Sequence, residues 1–117
     1  MRTQPLILAL AMLGLAGCAN DPAPNEQMRL SEQALEQAKA VGATEQVPEF
    51  KMAEDKLARA KTNMLTEDYR DARMRAEQSE LDARLAEARV LNQKSDEQLE
   101  RLQSRVKRLR KQLEVQP

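Results

Sequence analysis

The sequence predicts an all-α protein, a helical hairpin or three-helix bundle whose long C-terminal helix extends beyond it as a coiled coil. Three observations carry this. Charged residues make up 32% of the 117 positions and aromatics only 2%, which excludes a sizeable globular core. The excess of Ala, Glu, Lys, Leu, Arg and Gln instead favours long helices. Apolar or small residues recur at spacings of three and four, and no proline or glycine interrupts the chain from Thr66 to Gln116.

The first element is a leader. Met1 and Arg2 give a short positive start, and Leu6 to Leu15 form an apolar run that ends in Leu15, Ala16, Gly17 and Cys18, the sole cysteine. Small residues at 16 and 17 let a peptidase reach the bond, and a thiol takes diacylglycerol as a thioether. The pattern resembles the lipobox of bacterial lipoproteins. It implies a cleavage motif at Leu15, Ala16 and Gly17, with lipidation at Cys18. Diacylglycerol and an N-acyl chain are then the groups expected on the protein, and no cofactor is expected. A membrane span needs about 20 apolar residues, roughly twice this run. Loss of Arg2 with the leader leaves acids outnumbering bases by one. A lone cysteine forms no intramolecular disulfide, so stability must come from helix packing.

Residues 1–17 are thus read as the signal peptide and 18–25 as lipidated cysteine and tether, in which Pro22 and Pro24 bar a helix. In enteric lipoproteins, which this leader resembles, an aspartate after the cysteine favours the inner membrane. Ala19 at that place favours the outer membrane, periplasmic face.

A first helix is expected from Glu26 to Val41, with Asn25 as N-cap and Gly42 as its left-handed stop. Its stripe of Met28, Ser31, Leu35, Ala38 and Val41 is too thin to hold it alone in water. Pro48 fits the first turn of a second helix, where Phe50, Ala53, Leu57, Ala60 and Met64 form a packing seam. Thr66, Glu67 and Asp68 read as cap and acidic first turn of a third. That helix has room for some 50 residues, roughly 75 Å. Its first half carries Tyr69, Ala72, Ala76, Ser79, Ala83, Ala86 and Val90, small enough to let neighbouring helices approach to about 8 Å. A second stripe begins near Leu81 and strengthens at Leu99, Leu102, Val106, Leu109 and Leu113, the expected interaction seam. Asp55/Arg59, Asp71/Arg75, Glu80/Arg84 and Glu97/Arg101 stand four apart with the acid first, as solvated helix pairs. The helical domain is bounded at 26–91 and the basic C-terminal extension at 92–117.

The run Ala34-Leu35-Glu36-Gln37-Ala38, then Pro48-Glu49-Phe50 leading into Ala53 to Ala60, then Asp68-Tyr69-Arg70-Asp71-Ala72 with alanines repeating to Ala88, resembles the small bacterial lipoproteins of domain of unknown function 4398. The resemblance spans about Leu30 to Leu91. It implies an envelope protein with a helical hairpin or three-helix domain. In that family the domain also occurs beside peptidoglycan-binding modules of the outer-membrane-protein-A type, which this chain is too short to contain. The family supplies no catalytic residues.

The residues themselves offer little chemistry. There is no histidine, and an acylated Cys18 is no nucleophile, so the common general base, soft metal ligands and thiol are missing. Adjacent carboxylates such as Glu54-Asp55, Glu67-Asp68 and Asp96-Glu97 point about 100° apart on a helix and stay solvated. No catalytic or metal site is therefore expected. The unusual charge feature is Arg101, Arg105, Lys107, Arg108, Arg110 and Lys111, which surround the Leu99 to Leu113 stripe. Nucleic acid is not expected in this compartment or without aromatics. Three readings of the basic patch stay open: solvated coiled-coil flanks, a dock for an acidic partner helix, or contact with anionic lipid or cell-wall polymer.

The expected role is a lipid-anchored structural or adaptor protein presenting a long helix to an envelope protein partner or to a second copy. The alternative is a module whose basic helix binds anionic envelope polymer or lipid headgroups. With Leu99, Val106 and Leu113 at a positions and Leu102 and Leu109 at d, Asn92 falls at a, a device that fixes register. The same frame sets Arg105 at g against Arg110 at e in a parallel homodimer, which handicaps that pairing. A heterologous helix with acids at those flanks removes the penalty.

Overall fold

The computed structural model describes residues 21–115. The predicted leader, the cleavage motif Leu15, Ala16 and Gly17, and Cys18 lie outside the described residues. Three helices follow in order: α1 (Asn25–Ala40), α2 (Pro48–Leu65) and α3 (Tyr69–Glu114). The described residues contain no strand, and none of their helices is long and apolar enough to cross a membrane. The all-α fold with a long C-terminal helix is as the sequence predicts.

α3 is the axis on which the other two lie. Gln27 reaches Glu80 and Val41 meets Lys94, so α1 runs parallel to α3. Lys56 pairs with Asp82 and Glu49 with Arg89, so α2 runs antiparallel. The α1–α2 contact is the slightest of the three helix pairs. Small residues make the close approach possible: Ala38, Ala53, Ala60, Ala72, Ala76, Ala83 and Ala86 are wholly buried. The few large apolar side chains, Leu35, Phe50, Leu57 and Val90, join Ala34, Ala43 and neighbouring alanines in one cluster. Met28, Val41 and Val47 pack against its edge.

Both turns end a helix by the same device. At the end of α1, Gly42 N–H donates to Lys39 O and Ala43 N–H to Ala38 O, each at 2.9 Å, with Gly42 at φ +105°. This Schellman closure confirms Gly42 as the stop. At the end of α2, Glu67 N–H donates to Met64 O and Asp68 N–H to Asn63 O, with Glu67 at φ 60°. A left-handed conformation that glycine adopts freely is here forced on a side-chain-bearing residue.

Two expected caps are corrected. Asn25 is the first helical residue of α1; Pro24 precedes it and caps without a side chain, its carbonyl accepting Met28 N–H at 3.0 Å. Thr66 closes α2 rather than opening α3, its Oγ1 donating to Asn63 O and Thr62 O. The backbone N–H groups of Glu67 and Asp68 are used by α2's carbonyls, and Asp68 makes no side-chain cap at the start of α3. Of the spaced ion pairs, Glu80–Arg84 closes at 2.6 Å. Asp55/Arg59 and Glu97/Arg101, both exposed, form none, since such partners gain little over water, and the half-buried Asp71/Arg75 forms none either.

Candidate functional site

A helix of 46 residues rising 1.5 Å each is about 69 Å long, and α1 and α2 cover only its first half. The covered face is Ala72, Ala76, Ser79, Ala83, Ala86 and Val90, the stripe expected from the sequence apart from Tyr69, which is half-buried. Ser79 lies within it, its Oγ donating to the Ala53 carbonyl of α2 at 2.7 Å. This bond needs both a small donor and adjacent backbones. The covered region ends at Val90, where Lys94 Nζ donates to Val41 O and so supplies a cation to the C-terminus of α1.

Beyond that point every described residue, from Leu91 to Val115, is exposed. Leu99, Leu102 and Leu109 keep more than half of their surface, at 55%, 55% and 58%, and Val106 and Leu113 keep 47% and 74%. A naked helix of this length, with leucines in register, has an unsatisfied apolar face. The stripe reaches back to Leu81, where the sequence places its start. Leu85 and Leu81 precede Leu99 by whole heptads or the matching d step, and both are exposed although they lie within the bundle portion. They stand two residues after Ala83 and Ser79, which is about 200° around a helix, so the leucine face is opposite the docked one. The repeat of the leucine spacing upstream of Leu99 is the signal that locates them.

The six basic residues, Arg101, Arg105, Lys107, Arg108, Arg110 and Lys111, are all exposed around this stripe. They are not gathered into one site but spread around the helix. The acids nearest to them along the chain are Glu100, directly before Arg101, with Asp96 and Glu97 a turn earlier, and Glu114, three residues after Lys111. On the bundle, the Gln27 amide donates to Glu80 Oε2 at 2.7 Å and the Arg84 guanidinium reaches Oε1. These two donors, Gln27 foremost, hold the Glu80 carboxyl below its usual range. Among the described residues no group of three or more His, Cys, Asp or Glu is placed to hold a metal ion.

The family profile for the domain of unknown function DUF4398 matches residues 26–102. The chain belongs to the DUF4398 family. The match takes in the whole docked region and the first part of the free stripe, and ends before the basic residues from Arg105 onward. A DUF4398 family protein from Pseudomonas aeruginosa PAO1, known from a crystal structure, is 65% identical and superposes with a TM-score of 0.77. The similarity covers 79% of this chain and 96% of that one. No functionally curated protein matches the chain. Family and fold are thereby shown, and the DUF4398 domain itself carries no assigned activity.

Proposed function

We propose that this chain is a lipid-anchored structural or adaptor protein on the periplasmic face of the bacterial outer membrane, which presents the free half of α3 for protein–protein contact. The observation that carries the reading is the exposed leucine stripe on a helix that projects past its own bundle. Such a face loses stability to water until another surface covers it. The leader and Cys18 supply the anchor by the residue chemistry given above, with Ala19 favouring the outer membrane. The reading assigns no catalytic, metal or cofactor role to any residue.

Labelling cells with a radioactive fatty acid tests the anchor: the wild-type chain should label and fractionate with membranes, and Cys18→Ser should do neither. Equal labelling of both would end the anchor reading. Crosslinking in intact cells from Leu102 tests the contact, and should yield one discrete product that Leu109→Asp abolishes.

The exposed basic residues favour a second reading, in which the distal helix binds anionic cell-wall polymer or lipid headgroups. Salt separates the two. Polymer binding weakens steeply from low to physiological ionic strength, whereas contact through an apolar seam does not.

A further inference from the structure

We propose that the free stripe of α3 is covered by a second copy of this chain lying antiparallel, with its twofold axis beside Arg105. The inference rests on the reading of that stripe as a protein contact and names its occupant.

Charge order along the helix carries the inference. Asp96, Glu97 and Glu100 precede the basic run of Arg101, Arg105, Lys107, Arg108, Arg110 and Lys111, with Lys94 before the acids and Glu114 after the bases, so acids are in excess at the base of the free segment and bases are in excess towards its tip. Parallel copies set like against like, with Arg105 at g facing Arg110 at e on both flanks. Reversing one copy brings the base of each against the tip of the other. In an antiparallel pair, e positions face e and g positions face g. The register that opposes Leu99 to Leu109 and Leu102 to Val106 stacks the strongest apolar positions on one another. It also brings Asp96 beside Arg110 of the second copy on both sides of the axis, with Glu100 near the same guanidinium. Gln103 meets its own copy at e, and Gln98 meets Gln112 at g. Arg105 meets its own copy on the axis, the remaining like-charge contact between facing e and g positions.

The bundle does not obstruct this arrangement. α1 and α2 cover α3 only as far as Val90 and on the opposite face, so the two bundles sit at the outer ends of a rod. The overlap runs from about residue 92 to the end of the helix, roughly 35 Å.

Residues 21–115 suit the test. They hold the entire described core and no cysteine, and the crystallised relative, 65% identical, is 96% covered by 79% of this chain. Sedimentation equilibrium should find a dimer. Mixed L99C and L109C variants should form a disulfide with each other under mild oxidation, while L99C alone should not. Arg110→Asp should weaken the dimer roughly five- to tenfold by replacing attraction with repulsion on both sides, and adding Asp96→Arg should restore it. Parallel pairing gives opposite signs: L99C would link to itself, and Arg110→Asp would tighten the dimer by relieving Arg105. Either result overturns the proposal, as does a monomer at high concentration. All these substitutions are at exposed positions, so unchanged helicity separates lost pairing from lost folding. A monomer whose Leu102 still crosslinks to a different envelope protein would remove the second copy and keep the adaptor. A dimer from a chain whose Cys18 takes no lipid would keep the pairing and remove the anchor.

Discussion

α3 carries two seams with the same three-and-four spacing on opposite faces, and only one of them is used inside the chain. The docked seam is alanine and serine, with Val90 its largest member. The free seam is leucine and valine from Leu99 to Leu113, with Leu81 and Leu85 continuing it behind the bundle. Hydrophobicity alone would have docked the leucine face. Size decides otherwise. Alanine lets α1 and α2 lie close enough for Ser79 to reach a backbone carbonyl, whereas leucine knobs need a partner helix with holes of matching depth.

The sharpest way to break that comparison is one substitution on each seam. Leu57→Asp puts a carboxylate into the core cluster, where the native side chain is 7% exposed. It should cost about 3–5 kcal/mol and unfold the bundle, as followed by circular dichroism through a urea titration. At concentrations low enough to keep the chain monomeric, Leu102→Asp should leave the bundle's urea midpoint within about 0.5 kcal/mol of wild type, because no contact within the chain is lost. Comparable losses would show that the free stripe folds back on its own chain.

Both seams were legible in the sequence, because a period of three and four survives whichever face is buried. Spacing alone identifies the docked alanines from Ala72 to Ala86, and residue type identifies Gly42, since a helix stop there needs positive φ. The ends of α2 and α3 were not legible. Thr66 reads equally well as a stop or a start, and only the fold shows the N–H groups of Glu67 and Asp68 turned back to α2. Lys56–Asp82, Glu49–Arg89 and Gln27–Glu80 are likewise not legible in the sequence. Cross-helix pairs depend on the offset between helices, which one-dimensional periodicity does not contain. The covalent fate of Cys18 is read from residue chemistry alone.

The docked seam contains a finer contrast. Ser31 and Ser79 are both fully buried, yet Ser79 donates to Ala53 O and Ser31 Oγ has no partner. Ser79→Ala should therefore destabilise by about 1 kcal/mol, and Ser31→Ala should stabilise by a similar amount by removing a buried hydroxyl left without a bond. Urea midpoints moving in the same direction would show that both hydroxyls act through packing.

The turn that brings α3 back along α2 offers a smaller gain. Glu67 holds φ at 60° without glycine's freedom. Glu67→Gly should raise stability by about 0.5–1 kcal/mol, part of the relief being offset by the greater freedom of glycine in the unfolded chain. The corresponding change at the other turn, Gly42→Ala, should lower stability, since the added Cβ meets strain at φ +105° even though the nearest atom, Lys94 Nζ, is 3.6 Å away. A neutral result at both turns would mean that the backbone relaxes away from these angles.

The weakest effect is electrostatic and lies in the docked half of α3. In the docked half, Gln27 and then Arg84 hold the Glu80 carboxyl below its ordinary value of 4.5. A carboxyl with a depressed folded pKa adds stability that is fully present above the unfolded value and disappears as pH falls through the folded one. Gln27→Ala should therefore lower the urea midpoint near neutral pH by roughly 0.5 kcal/mol, discounted for the exposed Arg84 on the other oxygen. The deficit should shrink as the solution is acidified from about pH 4.5 downwards. A loss independent of pH would mean that Gln27 acts through packing against α3 rather than through the charge on Glu80.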